Sequence, residues 1–254
     1  IGFRFNGANS ADKDMLDLIS SILFNRKAGL VDLNINKKQV TLGCSAFGRS
    51  MVDYSMLQLS GRNKKGQSLD EVKDLLLQQV ELLKKGDFPD WMLEAAINNQ
   101  KLSMMNMLES GRGRASMMYM AYLNRINWAD AVSSISRLEK ITKDQIVKFA
   151  NEKLGNNYVV VYKRQGKPED VAKVAKPAIT PVHINRDVES DFLKKIKSST
   201  VKSIEPVFVD YKKDITKFNL NKDVEVLYNK NIENGVFRMV YHFPFGRLSD
   251  PALA

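Results

Sequence analysis

The sequence predicts an α+β fold in which an antiparallel sheet carries helices on one face. Three observations lead there. The opening Ile1-Gly2-Phe3-Arg4-Phe5 alternates with period two and is followed by a turn and an amphipathic helix. Extended segments then follow one another with no helix between them, so neighbours should pair antiparallel. From Ser68 onward the apolar spacing becomes that of helices, and one last strand closes the unit.

The elements can be taken in order. After the first strand, Gly7-Ala8-Asn9-Ser10 forms a turn, and Met15, Leu16, Ile19, Ile22 and Leu23 mark one face of a helix over Asp12 to Phe24. Three strands are expected at Leu30 to Ile35, Val40 to Phe47 and Val52 to Leu59. Ser68 with Glu71 reads as a capping box opening a helix that ends near Gly86. Pro89-Asp90 starts a long helix, Trp91 to about Glu109, and Gly111-Arg112-Gly113 breaks it before another over Ala115 to Leu123. Further helices are expected at about Ala129 to Leu138 and Lys143 to Leu154, and a strand at Tyr158 to Tyr162.

Residues 1–164 thus form one domain. Residues 165–205 contain Pro168, Pro177 and Pro181 and few periodic apolar positions, so they read as an extended connector. Residues 206–254 read as the start of a following domain, with a hairpin of Val224 to Tyr228 and Val236 to Phe245 around Asn234-Gly235. The strand–Gly–Asp–helix grammar of the first residues returns at Tyr241 to Asp250, and Asp250-Pro251 has the chemistry of a helix start. The chain therefore reads as a segment of a longer protein.

Composition bounds the function. The 254 residues carry 39 Lys+Arg against 29 Asp+Glu, a net charge of +10. The excess is spread out: residues 163–217 hold 13 basic and 8 acidic side chains, without basic runs interleaved with stacking aromatics. A solvated lysine-rich surface accounts for this, and nucleic-acid binding is the weaker alternative. No apolar run reaches the roughly 20 residues of a membrane-spanning helix.

Catalytic motifs fail on inspection. His183 and His242 stand 59 positions apart, and neither is part of a helical His-Glu zinc motif in either orientation. Cys44, the one cysteine, lies mid-strand and reads as a structural thiol. Gly61 to Ser68 has the glycine spacing of a phosphate-binding loop but has Gln67 where the lysine must stand. Gly111 and Gly113 begin a similar near miss, with Ser116 in place of a third glycine. Met104, Met105, Met107, Met117, Met118 and Met120 flank that break and are expected to fill an irregular core; a binding groove is the other use of such residues.

Leu138-Glu139-Lys140-Ile141-Thr142-Lys143-Asp144-Gln145-Ile146-Val147-Lys148-Phe149-Ala150, continuing through Leu154 to the strand at Tyr158, resembles the closing pattern of a domain of the pitrilysin, insulin-degrading-enzyme and mitochondrial-processing-peptidase family of inverted zinc peptidases. Ile19 to Leu33, with Ile22-Leu23-Phe24 and Gly29-Leu30, is similar to an earlier helix and strand of the same domain. The resemblance covers about residues 1–165. It implies a non-catalytic second domain, the interdomain linker and the start of a third domain, belonging to a half-shell that closes around a peptide. Zinc would be held by the catalytic domain of the parent polypeptide and not by this segment. Where active relatives carry Arg, then Gly-Leu-x-Tyr, this chain has Arg26-Lys27-Ala28-Gly29-Leu30-Val31-Asp32, with shorter spacing and Asp32 near the tyrosine position. The resemblance therefore assigns no catalytic, cofactor-binding or metal-binding residue here. The partners it implies are the catalytic domain of the same polypeptide and peptide substrates. The expected function is a non-catalytic, substrate-enclosing segment of a zinc metalloendopeptidase; the alternative is a binding or assembly subunit of a catalytically inactive relative.

Overall fold

The computed structural model describes residues 1–166 and 175–244. The chain divides into two compact units, Ile1–Lys163 with Glu233–Ala254, and Arg164–Ile232. In the first unit four strands, β1 (Gly2–Asn6), β2 (Gly43–Ser50), β3 (Tyr54–Arg62) and β4 (Tyr158–Val159), form a sheet of order β2-β3-β1-β4. Every neighbouring pair is antiparallel. Seven helices accompany it: α1 (Asp12–Leu23), α2 (Leu69–Lys85), α3 (Asp90–Leu108), α4 (Gly111–Leu123), α5 (Trp128–Val132), α6 (Ser134–Leu138) and α7 (Lys143–Lys153). This is the expected α+β sandwich.

The strand pattern decides which face is covered. Phe3, Phe5, Ala46, Leu57 and Leu59 are buried, whereas Arg4, Asn6, Phe47, Tyr54 and Gln58 are exposed. The inward set joins one apolar core with Leu16, Ile19, Ile22 and Leu23 of α1, Val72, Leu76 and Val80 of α2, and Ile146 and Phe149 of α7. Each large side chain so buried contributes roughly 1.5–3 kcal/mol of transfer free energy. Local chemistry then ends the helices where expected. Ser68 and Glu71 form a full capping box on α2, Thr142 and Gln145 form another on α7, and Gly86 closes α2 in the left-handed conformation.

Several expectations are corrected. Leu30 to Ile35 is not a strand: residues 30–36 are helical, with a π-helical segment over Asp32–Asn36. Leu30, Val31 and Ile35 are buried together, a helical spacing that alternation over six residues mimics. The Asn36 side chain then pairs with the β2 edge as a backbone would, donating to Cys44 O at 2.9 Å and accepting from Cys44 N at 2.8 Å. The meander is thus reduced to β2 and β3, and β1 inserts beside β3. Helix α4 begins at Gly111, not Ala115, because Ser110 caps it by accepting from Gly113 N. The helix expected over Ala129 to Leu138 is split at Ser133 into α5 and α6. The closing strand is paired only over Tyr158–Val159.

In the second unit the hairpin is formed by β5 (Thr216–Asn221) and β6 (Val224–Tyr228), with Lys222-Asp223 at the turn. The expected pairing around Asn234-Gly235 is replaced by this one, since β6 takes the strand before it as its partner. Residues 236–244 carry no strand, and Phe245 and the helix start at Asp250-Pro251 lie outside the described residues. The second unit also contains a helix, α8 (Asp191–Ser198), capped by Ser190, whose hydroxyl accepts from Leu193 N.

Gly7 supports a close backbone crossing. A Cβ there would stand 2.0 Å from Val52 O and 2.9 Å from Val52 C. Gly7→Ala is expected to destabilise by about 2–4 kcal/mol in urea unfolding. Gly66, also a loop glycine, has open space around it and φ +81°, so Gly66→Ala should cost only about 1–2 kcal/mol.

Candidate functional site: the uncovered sheet face

The outward face of the sheet follows from the register. Arg49, Met56 and Arg4 lie side by side across β2, β3 and β1, and Phe47, Gln58, Gly2 and Val159 form the next row across all four strands. Tyr54 stands at one end, with the Arg4 guanidinium 3.6 Å from the centre of its ring. Phe47 meets Phe24 edge-on at 5.3 Å. The outward positions of the four strands hold Arg4, Arg49 and Arg62 and no carboxylate. Such a face offers cations, aromatic surface and amide groups to whatever packs against it.

A second concave surface lies at the far end of the helical layer. A cleft of about 660 Å³ opens between the Ala8–Ala11 turn and helices α3 to α6. Met104, Met107, Met117 and Met120 line it. None of the six methionines is buried, so the expectation that they fill the core is overturned. Met104, Met105 and Met117 are half-buried and the other three exposed, as are Tyr119, Tyr122 and Leu123 of α4 and Trp128 of α5. The polar wall of the cleft is fixed by Arg137, which bonds Asp14 Oδ2 at 2.8 Å and the Asp130 carbonyl at 2.6 Å. The Asp14 carboxylate holds the Arg137 guanidinium even more firmly protonated than usual.

The remaining candidates are dispersed. His183 is exposed in the second unit, and His242 is exposed in the first. Among the described residues no group of three or more His, Cys, Asp or Glu side chains could hold a metal ion. Asp32 is buried and accepts from Asn25 N and Gly29 N, both at 3.0 Å, which makes it the tie of the loop after α1. Arg26 lies in that loop with φ 66°. Gly61 is required by packing, since a Cβ there would stand 2.4 Å from Val72 Cγ1. Gly113 has the same kind of reason, its absent Cβ leaving room for Met107 O at 1.8 Å. Reading motifs one at a time misses the sheet face. Its signal, Arg4 and Asn6 alternating with Phe3 and Phe5, is legible, but the neighbours across the strands are not.

Cys44 is buried, and burial raises its thiol pKa, with hydrogen bonds from Thr41 and the Arg62 backbone opposing the shift in part. Less thiolate is therefore present near pH 8 than in a free cysteine. An aromatic disulfide reagent at that pH should react at least about tenfold more slowly with the native protein than in denaturant. Equal rates would show the thiol to be accessible.

Residues 1–100 match the model of the peptidase M16 inactive domain. No curated protein matches the chain in sequence. Among solved structures, the inactive peptidase domain of a Bordetella parapertussis protein assigned as a zinc protease is similar, with TM-score 0.56 and 18% identity over 66% of this chain and 92% of that one. A protein of the same assignment from Bordetella pertussis Tohama I gives 0.52 and 16%, over 61% and 87%. A protease from Helicobacter pylori gives 0.55 and 18%, over 61% of this chain but only 38% of its own length. At such identities the structural likenesses speak for the fold, which agrees with the family match. Over residues 1–100 the chain is thus similar to the inactive domain of the M16 peptidases, in line with the resemblance to the pitrilysin and insulin-degrading-enzyme family drawn from the sequence.

Proposed function

We propose that this chain is a substrate-enclosing segment of a zinc metalloendopeptidase, proteolytic only together with a catalytic domain of the same polypeptide. Residues 1–164 would be the non-catalytic domain, 165–205 the connector and 206–254 the start of a following domain. The observation that carries the reading is the match of residues 1–100 to an inactive peptidase domain. Two features support it. One face of the sheet is left uncovered and bears Arg4, Arg49, Phe47 and Tyr54, a surface that can line a chamber for peptides. The apolar side chains exposed on α4 and α5, among them Tyr122, Leu123 and Trp128, offer a surface for a neighbouring domain to bury. Zinc, in this reading, belongs to the catalytic domain and supplies the activated water there. The residues of this chain would exclude bulk water and hold the peptide.

The test is peptide hydrolysis by the full-length parent, with and without a chelator, and with this segment as the blank. Chelator-sensitive cleavage by the parent and none by the segment is the expected result; an inactive parent with zinc supplied would overturn the reading. Within an active parent, Arg4→Glu combined with Arg49→Glu is expected to raise KM for peptides at least about threefold and leave kcat within about twofold, the mark of lost binding common to ground and transition states. An unchanged KM would remove the sheet face from the chamber wall.

A further inference from the structure

Charge is handled differently on the two sides of the sheet. In the helical layer Lys13 pairs with Asp17, Arg137 with Asp14 and Lys153 with Asp12. On the outward face Arg4, Arg49 and Arg62 are exposed, and among the described residues no ion pair joins any of them to a carboxylate, Asp53 of the β2–β3 turn included. Arg4 has the Tyr54 ring as its neighbour instead.

Register gathers these cations into two groups. Arg49, Met56 and Arg4 form one row, which sets the two arginine backbones about 10 Å apart at the usual spacing of strands. Arg62 lies farther along β3 than Met56 by six residues, about 20 Å at the rise of a strand. There it lines a cleft of about 690 Å³ together with Ser45, Ser60 and the exposed Lys64. The rows in between, Phe47 with Gln58 and Ser45 with Ser60, are uncharged and can form hydrogen bonds. Two cationic groups so spaced are matched by an extended chain with carboxylates at its first and seventh residues, because even spacing keeps both side chains on one face. A nucleic-acid strand is a poorer match. It carries charge at every nucleotide, where the middle rows offer no cation, and one face of the Tyr54 ring is already taken by Arg4.

We propose that the outward sheet face selects acidic peptides, holding an extended segment with one carboxylate at Arg4 and Arg49 and a second, six residues on, at Arg62 and Lys64. Exposed ion pairs are individually weak, so the preference depends on both groups being engaged at once. This names the substrate class of the chamber wall and rests on the peptidase reading for its place in an enzyme; the charge pattern does not.

Amide chemical shifts of the isotope-labelled chain, titrated with short peptides, test the site without catalysis. Acetyl-Glu-Ser-Thr-Ala-Thr-Ser-Glu-amide should shift the amides of Met56 and Arg62 and bind at least about fivefold more tightly than the same peptide with both Glu replaced by Lys. Its isomer acetyl-Ser-Thr-Glu-Ala-Glu-Thr-Ser-amide, of equal charge, should bind at least about threefold more weakly. Raising salt from about 0.02 to about 0.5 M should weaken the first peptide at least about threefold. Arg49→Gln with Arg62→Gln should remove the preference for Glu over Lys and leave the melting temperature unchanged, whereas Arg49→Lys with Arg62→Lys should keep the preference. No shifts at about 10 mM peptide, equal binding of the Glu and Lys forms or of the two isomers, or a preference that survives Arg49→Gln with Arg62→Gln would overturn the acidic site. Oligothymidylate binding more tightly than the first peptide would overturn it in favour of nucleic acid. A parent that is inactive with zinc, while the chain keeps these preferences, sinks the peptidase reading and leaves the acidic site; an active parent whose chain shows no preference does the reverse.

Discussion

Everything in the first unit depends on the burial of α1. Leu16, Leu18, Ile19, Ile22 and Leu23 are all fully enclosed, and the helix touches β1, β2 and β3 on one side and α2, α3, α6 and α7 on others. A helix enclosed on so many sides has its position decided by all its neighbours together. Its polar start is handled with equal economy: Asp12 accepts from Asn6 N and Nδ2 and faces Lys153 Nζ, which joins β1, α1 and α7 at one carboxylate. Asp14, in the same first turn, reaches Arg137 of α6.

Covering one face of the sheet leaves the other to solvent, and this asymmetry shapes the functional reading. The inward side chains are mostly aliphatic and phenylalanine, with Cys44 and Ser55 among them, while the outward ones mix arginine, serine, glutamine, tyrosine and methionine with Phe47 and Val159. An antiparallel sheet tolerates one wet face because its backbone groups are already paired within the sheet. That face can therefore vary in side chain without loss of fold, the property a binding wall needs.

The legible parts were those with local causes. Ser68 with Glu71, Thr142 with Gln145 and Gly86 announce themselves within four residues, and each does in the structure what its chemistry requires. The parts misread have nonlocal causes. Leu30 to Ile35 becomes helical because Asp32 gathers N–H groups from the preceding loop and Asn34 reaches the buried Gln79 of α2 at 2.8 Å. β6 pairs with β5 because Lys222-Asp223 is the shorter connection than the one through Asn234-Gly235. Met104, Met107, Met117 and Met120 stay out of the core because they line the cleft beside α3 and α4, which the Ala8–Ala11 turn and α5 and α6 close from other parts of the chain. The sheet face is not legible along the chain because its neighbours come from strands far apart in sequence, such as Arg49, Met56 and Arg4.

The Asn36 amide at the edge of β2 carries one more implication. β2 is the outermost strand, and an open edge of this kind invites another chain to add to it. By donating to Cys44 O and accepting from Cys44 N, Asn36 occupies the site a foreign backbone would use. Slow hydrolysis of that amide to a carboxylate would leave oxygen against the Cys44 carbonyl, replacing attraction by repulsion. The guard on this edge thus has a chemical lifetime, and protein aged in solution would lose it and start to self-associate through β2 while its core is still intact.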